Sequence, residues 1–398
     1  MSGFCLALAI FAAPSSWPSE FRRIVVLAVI ARIAGSALRL LVAQVWYGRG
    51  DALRYYDIGW EIASSIRGGD VGPFFASDLV WGTIFVQRVS AIVLVVVGES
   101  IRAESVVFSM FPLLGLILIV VSAVREFGPR IDGKRLAHLV LLWPSIWYWP
   151  SSIGKESLIL LAVGLVVFGW CGTGRLRISV VVLGLALSMM IRPHIALMIA
   201  VAIGFAAWLG PFQQLTASRI FQGLLLVVLA VLTTREALSQ LGLGSDAVAV
   251  GDFVAARSAR TATGGSQIAM ATGVVAIPMA AVNVSLRPFL WEVTNPLMLL
   301  SGIEVVVFWA LVWHRRHSLR SFLRWRESRL LLLVVPLTLI LTLFYGGFVA
   351  NLGILARQRV VVLPFMFLLA EAAPALASMR GARAARRRDE VRSASKPR

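Results

Sequence analysis

The chain has 398 residues, 59% hydrophobic and only 15% charged, with a mean hydropathy of +0.84. A soluble protein carries about 25% charge, so the composition excludes a soluble globular domain and defines an all-α, polytopic membrane protein. The net charge of +18 does not point to nucleic acid, because the basic residues gather in short loops and at the C-terminus, where anionic lipid headgroups attract them.

The first apolar run, Phe4–Ala13, lacks a basic segment before it and reads as a short interfacial piece, not a signal peptide. The first span is expected over 24–46. Beyond it, residues 51–78 hold Asp51, Asp57, Glu61, Asp70 and Asp78, a quarter of the 20 acidic residues. Asp57 and Glu61 are four apart and share a helical face. Asp51 suits either a general base at the membrane surface or a cap on a helix over 52–66.

Residues 81–98 carry Gln87 and Arg88 in mid-run and read as a re-entrant or interfacial helix instead of a span. Spans are then expected over 104–124, 136–150, 156–170, 177–191, 194–209 and 219–234. Between them stand two polar clusters, 144-PSIWYWPSSIGKE-156 and RPH at 192–194. Lys155 and Glu156 open a helix, where free backbone N–H groups and the dipole favour a phosphate. The rival reading for Lys155 is a side chain snorkelling to the interface. Arg192 and His194 flank Pro193 and form a compact anion-binding pair, or a structural hairpin.

Residues 235–267 exceed an ordinary connection and read as a lid or substrate loop ending in Gly264, Gly265 and Ser266, a weak backbone anion site. Residues 268–286 are diluted by small residues and Pro278. In RPFLWE (287–292), Arg287 and Glu292 either contact substrate or pair with each other. Further spans are expected over 296–313, 330–350 and 357–378. Arg357 and Arg359, in NLGILARQR (351–359), offer forked donors suited to phosphate.

The chain thus reads as a single membrane domain over 1–378, with a basic, disordered cytoplasmic tail at 379–398. Ten spans put the loops 125–135, 171–177 and 314–329 inside and all six polar clusters outside; twelve spans are the alternative. Cys5 and Cys171 lie far apart in apolar surroundings, and the four histidines lack zinc spacing, so neither a disulfide nor a metal site is implied. No internal repeat supports a transporter built from duplicated halves.

An Asp directly after the first span, followed by RYYDIGWEIASSIRGGD, resembles the first-loop motif of the GT-C superfamily of membrane glycosyltransferases. In its aminoarabinose and protein-mannosyl transferases a D-x-x-x-Y-x-x-I-x-x-E pattern carries an essential Asp. The resemblance implies a catalytic role for Asp51, with Tyr55 and Glu61 at the matching later positions. Ala52 stands where many members have Glu, so the paired acid is absent. The other clusters resemble those of a group of bacterial polytopic membrane proteins, a likeness that brings no activity with it.

The expectation is therefore an inverting glycosyltransferase in the inner (plasma) membrane, with its C-terminus cytoplasmic and no cofactor. It takes a polyprenyl-phosphate-linked sugar and a glycan or lipid acceptor at the extracytoplasmic face. Asp51 and Asp57 are the expected catalytic residues. Tyr55, Glu61, Lys155, Glu156, Arg192, His194, Arg287, Glu292, Arg357 and Arg359 are expected to contact substrate. The alternatives are a polymerase or ligase using a polyprenyl-diphosphate oligosaccharide, and a lipid-linked-sugar transporter.

Overall fold

The computed structural model describes residues 19–47, 50–77, 80–173, 176–209, 266–268 and 275–394, with side chains through 379. It is all-helical. Among the described residues no strand forms, and the extended contact between Gln267 and Asn351 is an isolated antiparallel bridge. The helices are α1 (Ser19–Val42), α2 (Asp51–Arg67), α3 (Thr83–Val97), α4 (Ile101–Phe127), α5 (Gly133–Leu141), α6 (Pro144–Tyr148), α7 (Lys155–Cys171), α8 (Leu176–Ile191), α9 (Pro193–Leu209), α10 (Ala276–Leu286), α11 (Pro296–His314), α12 (Arg329–Phe348), α13 (Leu352–Gln358) and α14 (Leu363–Ala394).

Among the described residues four helices are long and apolar enough to cross a membrane: Ser19–Val45, Ile101–Arg130, Pro296–His314 and Arg329–Phe348. Leu352–Val361 and Leu363–Met379, bent by 55°, make a fifth if the pair is one span. That is fewer than the ten expected. The helices over the expected spans 156–170, 177–191 and 194–209 have 17 residues or fewer. At 1.5 Å per residue these reach about 25 Å, short of a hydrocarbon core of about 30 Å. The span expected over 219–234 and the interfacial segment Phe4–Ala13 lie outside the described residues, as does most of the 235–267 loop.

Proline accounts for other departures. The expected 136–150 span divides into α5 and α6, because Pro144 has no N–H to continue the helix and instead opens a new one. The last span begins earlier than expected, as α13, and turns through a 3-10 segment at Arg359–Val361 before α14. Where disorder is expected from residue 379, α14 continues to Ala394, through a stretch rich in Ala and Arg, both good helix formers. The uncertain 81–98 stretch forms α3. Arg88 is satisfied there by the carbonyls of Phe74 (2.8 Å) and Ser77 (2.9 Å), which tie a short preceding helix, Gly72–Phe75, back onto it.

Helix α7 is the centre of the bundle and packs against both α4 and α8. Small residues permit this, as is usual where apolar helices meet in lipid. A Cβ on Gly164 of α7 would strike the backbone of Gly115 on α4, and one on Gly184 of α8 would meet the Ala162 carbonyl at 2.6 Å. The bundle has two chemically distinct ends. At one, Glu371 pairs with Arg135 (3.1 Å) and Arg315 (2.9 Å), while Glu126 accepts from the Ser328 hydroxyl and the Arg329 N–H, both at 2.8 Å. The other end carries the polar clusters.

Candidate functional site

The first turn of α7 anchors this end. Within it, the Ser157 hydroxyl lies 2.7 Å from the carbonyls of both Pro150 and Ser152, either of which can accept its one hydrogen, and so holds the buried PSSIG segment in a fixed approach. Lys155 and Glu156 are therefore set in the first helical turn, where a carboxylate is favoured by the dipole.

Glu156 accepts from Arg192 and from Arg357, each at 2.8 Å, and its side chain is 4% exposed. Arg192 reaches it from the break between α8 and α9, and Arg357 from the last turn of α13. One buried carboxylate thus gathers two guanidinium groups from opposite parts of the chain. Arg357, 31% exposed, also faces Asp51 at 3.9 Å.

Asp51 is the first residue of α2, with Gly50 at the cap position and no side-chain capping bond. The capping role considered from sequence is not realised. Its carboxylate is 68% exposed and free to meet a ligand. Tyr55 lies one turn on, on the same face, and is buried. Burial, followed by the charge of Asp51, raises its hydroxyl above the usual tyrosine range.

Thr83 opens α3, which a hydrogen bond from Gly82 N–H to the Met190 carbonyl (2.7 Å) ties to the end of α8. Its hydroxyl accepts from the Lys155 ammonium at 3.2 Å. Burial, then the nearby Arg192 charge, lowers Lys155 below the ordinary lysine value.

Sequence reasoning passes over several neighbours. Arg39, at the end of α1, lies over the rings of Tyr148 (5.4 Å) and Trp149 (5.0 Å), a cation–π arrangement. Thr83 and the fully buried Tyr345, which adjoins Arg192, are the others. A lone Arg in the last turn of an apolar span was the available signal for Arg39. Thr83 and Tyr345 gave none.

Not every expected residue joins this group. Asp57 and Glu61 are exposed on α2, turned about 120° and about 80° around the helix from Asp51 at 3.6 residues per turn. No ion pair links them to the cluster among the described residues. Asp78, Gly264 and Gly265 lie outside the described residues. The His194 ring packs on Phe344 at 5.2 Å between centroids.

The 287–292 segment is internally paired. Arg287 donates to Glu292, which also accepts from the Phe289 N–H at 2.9 Å. Arg359 donates to the Arg287 carbonyl (2.9 Å) and the Ser301 hydroxyl (2.8 Å). It is 2% exposed and turned away from Arg357 and its partners. Ser266 also joins this end: its carbonyl accepts from Leu352 N–H at 2.9 Å, and its hydroxyl lies 3.3 Å from Asn351 Oδ1. Asn351 in turn caps α13 by accepting from Gly353 and Ile354.

Among the described residues no group of three His, Cys, Asp or Glu is placed to hold a metal ion. The arrangement is instead a cationic floor with one exposed carboxylate at its rim. Comparison with protein-family profiles, curated proteins and solved structures gave no match.

Proposed function

We propose that this chain is an integral membrane glycosyltransferase that moves a sugar from a polyprenyl-phosphate carrier to an acceptor hydroxyl. The observation that carries this reading is the exposed Asp51 carboxylate facing Arg357 across 3.9 Å, beside Lys155 and Arg192. In this reading the site lies at the extracytoplasmic face of the plasma membrane.

Charge counting fits the reaction. Lys155, Arg192 and Arg357 supply three positive charges, and the buried Glu156 cancels one, leaving two at the floor. The donor phosphodiester carries one negative charge and the departing polyprenyl phosphate approaches two. The floor therefore favours the state in which the sugar–phosphate bond has broken, which is the condition for catalysis by electrostatic stabilisation.

Asp51 at the rim takes the acceptor proton as the acceptor oxygen bonds to the anomeric carbon. The electron pair of the breaking bond goes to the phosphate oxygen. Attack opposite the phosphate inverts the anomeric centre. Glu156 serves as a positioning residue for the two arginines.

A polymerase or ligase acting on a diphosphate-linked oligosaccharide would use the same cations, and the built character of the Arg–Glu–Arg group favours it as the second reading. The test is sugar transfer by protein in lipid from labelled polyprenyl-phosphate sugars, wild type against Asp51→Asn. Transfer that disappears in the variant supports the proposal. Equal rates remove Asp51 from the chemistry, and no transfer from any monophosphate donor favours the diphosphate reading.

A further inference from the structure

The end of the bundle opposite the Arg–Glu–Arg group carries a basic segment that the transferase reading leaves unused. Between α11 and α12 the chain runs as a 3-10 helix, Arg316–Glu327. Both flanking helices are long and apolar enough to cross a membrane, so the segment that joins them sits where the lipid headgroups begin.

The arginines here are sorted by what they meet. Arg315 donates to Glu371 at 2.9 Å and Arg324 to Glu327 at 2.5 Å, so these two are neutralised within the protein. Arg316, Arg320 and Arg326 are exposed, and among the described residues no carboxylate pairs with them. Arg316 lies over the Trp313 ring at 4.9 Å and Arg326 over the Trp325 ring at 5.6 Å, contacts that leave the positive charge uncancelled.

A 3-10 helix repeats every three residues, which puts His317, Arg320, Leu323 and Arg326 in one row, and every member of that row is exposed. Trp325, on the neighbouring row, packs against the core and turns the basic row outward. Leu323 stands 87% exposed between Arg320 and Arg326, and Trp313 is 69% exposed at the end of α11. A large apolar side chain held out between two arginines is poorly served by water. It is well served by the layer where phosphates meet acyl chains, the setting of amphipathic interfacial helices.

We infer that Arg316–Glu327 is a binding surface for anionic phospholipid. The segment lies in the interface, Leu323 enters the acyl boundary, and Arg316, Arg320 and Arg326 hold headgroup phosphates. Three uncancelled positive charges select headgroups of net negative charge over zwitterionic ones. This rests on the membrane setting and not on the transferase reading.

The test uses full-length protein in mixed-lipid nanodiscs with trace photoactivatable phosphatidylglycerol or photoactivatable phosphatidylcholine, each carrying its reactive group near the headgroup. Labelling of residues 316–327 is read by mass spectrometry against the lipid-facing flank of α11 around Ile303 and Val307, which should take both lipids alike. Each basic residue near an anionic surface is worth roughly a fivefold preference. Relative to that reference, phosphatidylglycerol should label the segment at least about fivefold more than phosphatidylcholine, and salt should reduce the ratio. The triple variant Arg316→Gln, Arg320→Gln, Arg326→Gln should bring the ratio down to that of the reference flank, and Leu323→Ser should lower labelling by both lipids. The wild-type ratio and its salt dependence decide the matter even if a variant fails to fold. Equal labelling by the two lipids, or a ratio unchanged in a folded triple variant, would overturn the inference. So would the absence of labelling over 316–327, which would make an acidic protein surface the occupant.

Discussion

Glu156 and Arg357 stand 201 residues apart in sequence and 2.8 Å apart in the structure, and this contact joins two distant stretches of the chain at one site. Because Arg192 shares the same carboxylate, its removal would leave two guanidinium groups crowded in a confined space. Glu156→Gln should therefore destabilise the protein by about 3–5 kcal/mol, the usual cost of removing one partner from a buried ionic group. Thermal unfolding in lipid measures this, and an unchanged midpoint would mean the group is not structural.

Asp51 should behave in the opposite way. Its carboxylate is 68% exposed and 3.9 Å from Arg357, too loosely held to matter for folding. Asp51→Asn should leave unfolding unchanged while lowering transfer by about 10²–10⁴-fold, the range for loss of a general base. Parallel assays of melting and transfer separate the two effects.

Asp57→Asn and Glu61→Gln, on the exposed face of α2, should change stability by no more than about 0.5 kcal/mol and leave transfer intact. A large loss of transfer in either would move the catalytic face of α2 away from Asp51 and Tyr55.

Lys155 gives the site a pH dependence of defined sign. Burial and Arg192 lower its value from the ordinary 10.5, so it loses its proton earlier than a free lysine as pH rises. Affinity for a polyprenyl phosphate should be full while Lys155 is protonated and fall on the alkaline side, before 10.5. Lys155→Arg, which stays charged, should move that fall to higher pH. Binding titrations across the alkaline range check it, and identical profiles would remove Lys155 from the anion contact.

Packing gives a matched pair. Gly164→Ala pushes a methyl into the Gly115 backbone of the α4–α7 crossing and should cost about 1–3 kcal/mol. Gly204→Ala on α9 meets nothing within 4 Å and should be neutral or slightly stabilising. Melting temperatures of the two variants compare them directly.

The helical class was legible in the apolar runs, and the polar clusters were legible as interruptions of them. Tyr55 was named from the first-loop resemblance, and the Arg287–Glu292 pairing was one of two readings available. The exposed position of Asp57 had no sequence signal, because residue type says nothing about which side of α2 faces the bundle. Thr83 and Tyr345 were hidden because each is one polar atom in an apolar helix, and only the α3–α8 and α12 contacts give them a role. Arg357 and Arg359 looked alike on paper. The 3-10 turn between α13 and α14 sends them to different partners, and no periodic pattern encodes that turn.

The long separation within the Arg–Glu–Arg group also bears on how the protein is made. Arg192 emerges 36 residues after Glu156, and Arg357 only after 201. During synthesis the carboxylate is first met by one guanidinium, forming a charge-neutral pair to which the second is added only when Arg357 follows. The site's second guanidinium arrives with α13, so the Arg–Glu–Arg group is complete only once Arg357 has been made.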